Sequence, residues 1–398
     1  MAKYRFGDIC KVLNGRAYKQ NELLASGKYP ILRVGNFFSS DRWYYSDMEL
    51  PEDKYCDYED LLFAWSASFG PKIWDGEKVI YHYHIWKLIP NDDIADKWYL
   101  YYWLRHSVNR LTAGTHGSVM AHMTKGDMEN QSIELPSLQT QRKISSILRT
   151  IDEKIHNNVA INNNLLEQIK TICTAWLSEY KPFDGVMPSD WVETPLSDIA
   201  EFISGYSYKG TELTDSTIAM ATIKNFDRKG GFKLDGYKEI IPSSKLKESQ
   251  HAELFDTLVA HTDLTQNAEV IGNAELVMSK SGYDDIVFSM DLVKVLPKKD
   301  GVSKFLIAAI LQDKKFKAHC LGYVNGTTVL HLSKKALPEY KLLLPSDFST
   351  LKPLDEVVTA LYKQVSSNIS ENTYLEELRE SLLPKLMSGE LDVSNIDL

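Results

Sequence analysis

The sequence predicts an α+β fold: two similar mixed α/β domains separated by two long antiparallel coiled-coil helices, with pseudo-two-fold symmetry. Three observations favour it. A short phrase occurs twice, as HGSVMAHMTKGDM at 116–128 and NGTTVLHLSKKAL at 325–337, at a constant offset of 209. Short β-rich runs separated by Gly, Pro, Asp and Ser precede each copy of this phrase. A long stretch with the apolar periodicity of a helix follows each copy. With two copies only, the chain is one module used twice.

The composition is that of an ordinary globular protein. The 398 residues suffice for two or three domains with their own cores. The net charge of −9 argues against wholesale wrapping of nucleic acid and leaves binding through local basic faces open. No apolar run approaches the roughly 18 residues of a membrane span, the N-terminus MAKYRFGDIC does not resemble a signal peptide, and the cysteines form no C-x-x-C pair. We therefore expect a cytoplasmic protein without a membrane segment.

The internal repeat extends well beyond the opening phrase. FGDICKVLNGRAYK at 6–19 matches LSDIAEFISGYSYK at 196–209, and the Leu-Pro-Ser at 135–137 recurs at 344–346. Because insertions collect in loops, we expect the ends of each copy to be framework and the middles to diverge. The predicted boundaries are 1–138 for the first domain, 139–181 for the central helix, 182–350 for the second domain, and 351–398 for the distal helix with the C-terminal tail.

Short β-rich runs separated by Gly, Pro, Asp and Ser predict strands in each copy. They are YPILRVGNF, LLFAWSASF and KVIYHYHIWKLI in the first copy, and IAMATIKNF, TLVAH and DIVFSMDLVKVL in the second. A stretch without internal proline follows the strands in each copy, at 98–111 and 304–321, and predicts a helix. Each domain is therefore expected to be mixed.

The two long stretches carry the 3.5-residue apolar period of a coiled-coil seam. Taken alone, each could equally be a long amphipathic helix lying on a globular core. Paired asparagines interrupt both seams, which favours an intramolecular antiparallel pair in which they face each other and fix the register. At 1.5 Å per residue, the seam from 144 to 176 would form a rod roughly 50 Å long. The central seam positions are Ile151, Ile155, Asn158, Asn162, Leu165, Leu361, Val365, Asn368, Asn372 and Leu375.

A rigid spacer between two similar modules suits recognition of two half-sites on duplex DNA, one or more helical turns of about 34 Å apart. The sequence has no Gly-rich phosphate loop, no G-x-S-x-G elbow, no Asn/Asp-Pro-Pro-aromatic motif and no nuclease carboxylate set. His82-x-His84 offers two imidazoles to zinc, but no third ligand is in sight and a strand face is the better interpretation. Neither catalysis nor a metal site is expected.

Local basic excess is the evidence for DNA contact. Residues 224–247 hold seven Lys or Arg against three acids, and 298–317 hold six Lys against two. An ordinary solvated surface stays open for any one of them. The 47–60 stretch, with seven acids, is expected to face away from DNA. Candidate contacts are Arg16, Lys19, Arg33, Arg42 and Lys72 in the first domain, with Trp43 and Tyr44 able to stack, and Lys209, Lys224, Arg228, Lys229 and Lys233 in the second.

Polar candidates complete the predicted interface. A polar insertion of the second domain holds residue types that read base edges, namely His261, Gln266 and Asn267. The repeated phrase offers main-chain N–H groups and a hydroxyl suited to a phosphate oxygen, at Gly117-Ser118 and Gly326-Thr327. The competing interpretation is a framework turn before the final strand, with His122 and His331 packed inside.

The segment HMTKGDMENQSIELPSLQTQRKISSILRTIDEKI resembles the end of a target-recognition domain and the following helix of a type I restriction–modification specificity (S) subunit. That family has a Ser/Thr-containing turn, Pro-Pro-Leu, a Gln and Ile-x-x-Leu repeats. DLLFAWSASFG at 60–70 is similar to its Asp-Leu-Leu-aromatic stretch, and the order module, helix, module, helix spans the whole chain. Here Leu-Pro-Ser replaces Pro-Pro-Leu, and the second copy lacks the Gln. With Pro353 nearby, its helix is expected to begin at 353 or 354.

The resemblance implies two target-recognition domains, each reading one half of a split double-stranded DNA site, joined by helices that act as a ruler. It also implies that the helices dock two methyltransferase (M) subunits and that a restriction/translocase (R) subunit joins for cleavage. S-adenosylmethionine and ATP with Mg²⁺ would belong to those partners, and this chain would hold no cofactor. Two alternatives stay open: a non-catalytic two-headed protein-binding scaffold, which the acidic net charge supports, and a degenerate enzyme with unrecognised motifs.

Overall fold

The computed structural model describes residues 1–38, 42–112, 123–393 and 396. The chain divides into two compact units: unit 1 comprises Met1–Lys154 and Leu375–Leu398, and unit 2 comprises Ile155–Tyr374. Both divisions fall inside the long helices, so each unit contains one sequence module and a segment of each helix. The domain boundaries predicted at 138, 181 and 350 separate modules from helices and stay a prediction.

The described residues of unit 1 form three sheets. Its strands are β1 Ala2–Arg5, β2 Cys10–Asn14, β3 Tyr29–Leu32, β4 Tyr44–Ser46, β5 Tyr55–Cys56, β6 Leu61–Ser66, β7 Ser68–Ile73, β8 Val79–Tyr81, β9 Ile85–Pro90 and β10 Ser132–Leu135. The strand orders are β1-β10, β2-β9-β6-β7 and β4-β3-β8-β5, and β3 and β8 are the parallel neighbours. The helices that begin in this unit are α1 Phe6–Ile9, α2 Val34–Phe38, α3 Lys97–Thr112, α4 Lys125–Glu129 and α5 Leu138–Leu177.

Unit 2 contains four sheets. Its strands are β11 Trp191–Pro195, β12 Ala200–Ser204, β13 Ile218–Ala221, β14 Lys238–Glu239, β15 Thr257–Ala260, β16 Thr262–Asp263, β17 Ala274–Leu276, β18 Asp285–Phe288, β19 Leu292–Pro297, β20 Val324–Asn325, β21 Leu330–Leu332 and β22 Lys341–Pro345. The strand orders are β11-β22, β12-β19-β15-β17, β14-β13-β18 and β16-β21-β20. The helices that begin here are α6 Leu196–Ile199, α7 Lys304–Leu311, α8 Lys314–Leu321, α9 Ala336–Glu339 and α10 Lys352–Ser388.

The two units repeat one topology. The four-stranded antiparallel sheet β2-β9-β6-β7 has its counterpart in β12-β19-β15-β17, and the terminal pair β1-β10 in β11-β22. The parallel pair β3-β8 matches the parallel pair β13-β18. Even the antiparallel strand β5 beside β8 has an equivalent, a single bridge between His251 and Val287 of β18. The internal repeat predicted from the sequence is therefore a repeat of structure.

The predicted β-rich runs are strands, with one correction. KVIYHYHIWKLI splits into β8 and β9, which belong to different sheets, and DIVFSMDLVKVL splits likewise into β18 and β19. A turn divides each run, closed by Ile85 N–H on His82 O over 2.9 Å and by Leu292 N–H on Ser289 O over 2.9 Å. The strand-face interpretation of His82 and His84 was wrong, because both lie in this turn.

The helix predictions agree in position and differ in detail. The stretch predicted at 98–111 is α3, whereas 304–321 is divided into α7 and α8, because the Asp313 carboxylate caps α8 by accepting from Lys315 N–H over 2.6 Å. Helix α10 begins at Lys352, one residue before the predicted start, after the 3-10 turn Phe348–Leu351. Among the described residues, no helix is both long and apolar enough to cross a membrane.

Segments of both long helices contribute to each core. In unit 1, Ile144 and Leu148 of α5 and Leu386 of α10 pack into the core. In unit 2, Ile169 of α5 and Val358 of α10 pack into the core with the strands and α7. Each long helix thus lies on a globular core, as the single-helix interpretation had it.

The two long helices also pair with each other, antiparallel, within unit 2. Asn158 Nδ2 donates to Asn372 Oδ1 over 2.8 Å and to Glu371 Oε2 over 2.8 Å. Asn368 Nδ2 donates to Asn162 Oδ1 over 2.7 Å. Asn158, Asn162 and Asn368 are buried. Among the seam positions in this unit, Val365 is buried, and Ile155, Leu165 and Leu361 are half-buried; in unit 1, Ile151 is buried and Leu375 half-buried.

Both units contain an ion pair at an antiparallel four-stranded sheet, β12-β19-β15-β17 in unit 2 and β2-β9-β6-β7 in unit 1. In unit 2, Lys294 Nζ lies 3.4 Å from the Asp256 carboxylate and donates to His251 O over 2.7 Å, with only 7% and 2% of the two charged side chains exposed. In unit 1, Lys87 Nζ lies 2.6 Å from Asp60 Oδ2. Each lysine sits on the strand next to the strand that its carboxylate precedes. The pair in unit 2 serves the framework, because removing Lys294 would leave the buried Asp256 carboxylate with Lys304 alone to offset its charge.

Candidate nucleic-acid interface

Each unit contains a turn of the same construction, which we call the sheet-end turn. It lies between β8 and β9 in unit 1 and between β18 and β19 in unit 2, and its backbone packs against a glycine. A Cβ on Gly15 would lie 2.4 Å from His82 O, and one on Gly205 would lie 2.0 Å from Ser289 O. No side chain fits there, so the repeated glycine is required by close backbone approach.

Main-chain hydrogen bonds hold both turns in place. In unit 1, Tyr83 N–H donates to Arg16 O over 3.0 Å. In unit 2, Met290 N–H donates to Tyr206 O over 2.9 Å. The residue after each glycine therefore anchors the turn through its backbone, whichever side chain it carries.

The residues after the two glycines, Arg16 and Tyr206, each bind a glutamate, one through a guanidinium and the other through a hydroxyl. Arg16 binds Glu22 through both guanidinium N–H groups, over 3.0 and 2.8 Å, and lies 5.1 Å from the Tyr18 ring. The Arg16 hydrogen bonds and the Lys19 N–H lower the pKa of Glu22 to about 2. Arg16, predicted to contact DNA, is thus engaged within the protein, whereas the Lys19 side chain is exposed.

In unit 2 a tyrosine replaces that arginine. Tyr206 O–H donates to Glu212 Oε1 over 2.7 Å, and Lys209 N–H donates to Glu212 Oε2 over 2.6 Å. The Lys209 N–H and then the Tyr206 hydroxyl lower the pKa of Glu212 to about 2. The side chain of Lys209 is exposed, as that of Lys19 is.

Two of the predicted arginines of unit 1 converge on one aromatic ring. The guanidinium carbons of Arg33 and Arg42 each lie 5.2 Å from the ring centroid of Tyr44 on β4. Cation–π contact of this kind holds a guanidinium in place while leaving N–H groups for a phosphate or a base edge. We call these three residues the Tyr44 cluster.

A second basic–aromatic contact lies beside it. Lys72 Nζ on β7 lies 5.4 Å from the Trp74 ring and 3.5 Å from Asp75 Oδ1. The Trp43 ring, next in the chain to Tyr44, meets Trp74 edge-on at a centroid distance of 6.5 Å. Four of the predicted residues, from distant parts of the sequence, are thereby brought together: Arg33, Arg42, Lys72 and Trp43.

The four basic candidates of the loop after β13 are exposed: Lys224, Arg228, Lys229 and Lys233. Asn225 folds this loop, since its Oδ1 accepts from Thr222 N–H over 2.9 Å and its Nδ2 donates to Lys233 O over 2.8 Å. Arg228 Nε lies 3.2 Å from Glu269 Oε2, which offsets part of its charge. The loop therefore presents a basic surface on a fixed backbone.

The polar insertion and the repeated phrase meet in unit 2. Gln266 Nε2 donates to Thr327 O over 2.7 Å, beside Gly326, whose φ of +111° favours glycine. The Thr327 side chain is exposed, and so is that of Asn267. The counterparts in the first copy, Gly117 and Ser118, lie outside the described residues, as does His122.

The two histidines of this region are neighbours. His261 follows β15 and is half-buried; burial, His331 and Lys334 lower its pKa. His331 is exposed on β21, where it pairs with Thr262 of β16. The interpretation that His331 packs inside was therefore wrong.

Two of the six lysines at 298–317 serve the framework instead of a surface. Lys304 Nζ lies 2.6 Å from the buried Asp256 carboxylate. Lys317 Nζ donates to the main-chain oxygens of Ala268, Glu269 and Ile271, and burial lowers its pKa. Within residues 1–38, 42–112, 123–393 and 396, no group of three His, Cys, Asp or Glu is placed to hold a metal ion.

Comparison with known proteins shows which family this chain resembles. The profile of the type I restriction modification DNA specificity domain matches residues 1–170. The MjaVIII specificity subunit of Methanocaldococcus jannaschii is 23% identical over 353 residues, which cover 85% of this chain and 80% of that protein. The MjaIX specificity subunit of the same organism is 22% identical over 335 residues, covering 78% and 72%. The chain is therefore similar to type I restriction–modification specificity subunits, over its first 170 residues by the domain profile and over most of its length by these relatives.

The crystal structure of the type I S subunit of M. genitalium has the same fold, with a TM-score of 0.57 at 16% identity over 97% of this chain and 95% of that one. In this chain, sequence reasoning missed Trp74, Trp65 and the two sheet-end turns. The signal for Trp74 was present, because Trp74 stands two residues after Lys72, directly after β7. Nothing local in the sequence indicated the turns.

Proposed function

We propose that this chain is the DNA sequence-specificity subunit of a type I restriction–modification complex, each unit reading one half of a split double-stranded site. The observation that carries the proposal is a duplicated framework that bears different side chains. Sheet order, pinned turn, glycine and an ion pair recur in both units. The candidate contact residues differ, as recognition of two different half-sites requires.

The chemistry of both candidate surfaces fits DNA. In unit 1, the Tyr44 cluster and Lys72 combine cations with aromatic faces, which suits phosphates and groove edges. In unit 2, the exposed loop residues Lys224, Lys229 and Lys233 suit phosphates, and Asn267 is of the type that reads adenine. Gln266 uses its amide nitrogen internally, so it would read bases only through its oxygen.

The division of labour follows from the family. The chain supplies recognition without catalysis of its own, and M subunits, two per complex, supply adenine methylation. An R subunit, where the complex contains one, supplies cleavage. S-adenosylmethionine and ATP with Mg²⁺ then act on those partners. The docking surfaces for the M subunits are assigned to the long helices.

We further propose that the helix pair sets the gap between the half-sites. The interhelical asparagine pairs fix the register that such a ruler needs. Inserting one heptad into each helix is expected to lengthen the gap and to leave both half-sites unchanged. An unchanged gap would overturn the ruler.

The deciding experiment coexpresses the chain with its M subunit and maps methylated adenines by single-molecule sequencing. A split motif with a fixed gap is the expected result, and M subunit expressed alone is the control. Methylation without a bipartite motif would overturn the two-unit reading. Failure to form any complex with M subunit or DNA would favour a protein-binding scaffold.

A further inference from the structure

The sheet-end turns place equivalent residues at equivalent backbone positions in the two units. Trp65, near the end of β6, and His261, directly after β15, both donate their N–H to the turn: Trp65 to His84 O over 3.1 Å, and His261 to Asp291 O over 2.8 Å. Tyr83 and Met290 therefore occupy the same site, each one residue before that acceptor. Their backbones are bound alike and their side chains are chemically different.

These two side chains project from the turns. Tyr83 is 38% exposed and Met290 is 57% exposed, although each follows a strand whose last three residues are buried. Each turn is held by main-chain bonds and by the glycine contact, so the framework does not need either side chain.

The surroundings of Tyr83 prearrange its ring. Trp65 Nε1 donates to Tyr83 O over 2.8 Å. The Tyr83 ring lies 4.5 Å from that of His82 and 4.0 Å from that of His84, between centroids. A ring held in this way has little freedom to lose on binding.

The surroundings of Met290 are polar and fixed. Its neighbour Asp291 accepts from Thr262 Oγ1 over 3.0 Å and from Ser289 Oγ over 3.4 Å. The adjacent His261 lies close to Lys334, which supplies positive charge. In unit 1, Arg33 lies close enough to His82 to act on it in the same sense. Both turns are therefore flanked by basic groups that suit a polyanion.

We propose that Tyr83 and Met290 are specificity-determining residues that contact the bases of the first and second half-site respectively. The proposal rests on the proposed function of the chain. Tyr83 offers a π-face for stacking and a hydroxyl that donates or accepts. Met290 offers an apolar group that contacts a thymine methyl or wedges between base steps. One framework would thus read two sequences by exchanging the side chain at one position.

The test uses the complete complex of this chain with its M subunit and compares methylated motifs by single-molecule sequencing. We expect Tyr83→Ala to relax or change at least one base of the first half-site by roughly tenfold and to leave the second intact. Met290→Ala should do the reverse. Tyr83→Phe keeps the aromatic ring and removes the hydroxyl, so it separates the contributions of the two groups to base recognition. Met290→Leu keeps a large apolar side chain and should therefore retain the second half-site that Met290→Ala loses.

Matched controls are exposed residues away from the turns and the long helices: Tyr58→Ala in unit 1 and Val192→Ala in unit 2, at 70% and 51% exposed. Thermal unfolding establishes that every variant folds. A wild-type complex with a split motif that neither turn variant alters would overturn this proposal alone. A uniform loss of methylation with both half-sites unchanged would reduce the turns to a structural role. A wild type that yields no motif would overturn the proposed function itself.

Discussion

The side chain of Asn368 on α10 donates to the side-chain oxygen of Asn162 on α5 over 2.7 Å. Both residues are buried, with 6% and 8% of their surface exposed. Leucine at both positions would pack without polar atoms, so the pair is retained at a cost in stability. What it supplies is a preferred alignment, because the hydrogen bond from Asn368 Nδ2 to Asn162 Oδ1 forms only when the two residues lie opposite each other.

Asn368→Leu alone is expected to destabilise the protein by about 1–3 kcal/mol, because it removes the N–H group that donates to the buried Asn162 Oδ1. The double change, Asn162→Leu with Asn368→Leu, is expected to be neutral or stabilising. Urea unfolding of both variants measures the difference. Asn163→Leu, on the exposed face of the same helix, is the control and should stay within about 0.5 kcal/mol of wild type. A double variant less stable than the single one would contradict the argument.

Lys294→Met is expected to destabilise the protein by about 3 kcal/mol, because it removes a charge partner from the buried Asp256 carboxylate. Lys304 Nζ, 2.6 Å from the same carboxylate, still offsets part of that charge. Lys341→Met breaks an exposed pair with Glu193 and should cost less than about 1 kcal/mol. Urea unfolding compares the free energies of unfolding of the two variants. Equal losses would show that water reaches the Asp256 carboxylate.

The sequence predicted what depends on local pattern. Strands, helices and the duplication follow from hydrophobic period and from the spacing of repeated residues, and the asparagine positions came from a break in a seven-residue pattern. The turns escaped notice because Tyr81, Tyr83 and Ile85 read as one alternating strand. Only their separate sheets reveal the break between them.

The intramolecular partners of basic side chains could not be predicted from the sequence either. Arg16, Lys304 and Lys317 look in the sequence like other basic residues, but each is engaged by a group that is remote in sequence or fixed by the fold. The convergence of Arg33 and Arg42 on Tyr44 likewise depends on how β3 and β4 pair. Charge counts therefore indicate a basic surface and do not separate its free cations from its structural ones.

Gly205→Ala is expected to displace the turn of unit 2, since its Cβ would lie 2.0 Å from Ser289 O. Overpacking against a backbone atom costs about 1–3 kcal/mol. Gly210→Ala is the matched control, because a Cβ there meets nothing within 4 Å. Thermal unfolding reports the stability, and methylation mapping should show damage to the second half-site only. Equal behaviour of the two variants would mean that the turn tolerates the shift.

Acidification is expected to destabilise unit 1 through His82. Burial, then His84 and Arg33, lower the pKa of this half-buried imidazole to about 4. The unfolded chain takes up the proton near pH 6.5, so it binds more protons than the folded state between these values. Stability from this group is therefore complete above pH 6.5 and is lost as pH falls toward 4.

The loss from His82 should reach on the order of 1–2 kcal/mol by pH 5. Urea unfolding of wild type and His82→Gln at pH 7.5 and pH 5 isolates it, because glutamine keeps a polar side chain and does not titrate. The variant should lose less stability than wild type across that interval. Parallel losses would mean that the imidazole is protonated in the folded protein, and that the turn carrying Tyr83 accepts a positive charge next to Arg33.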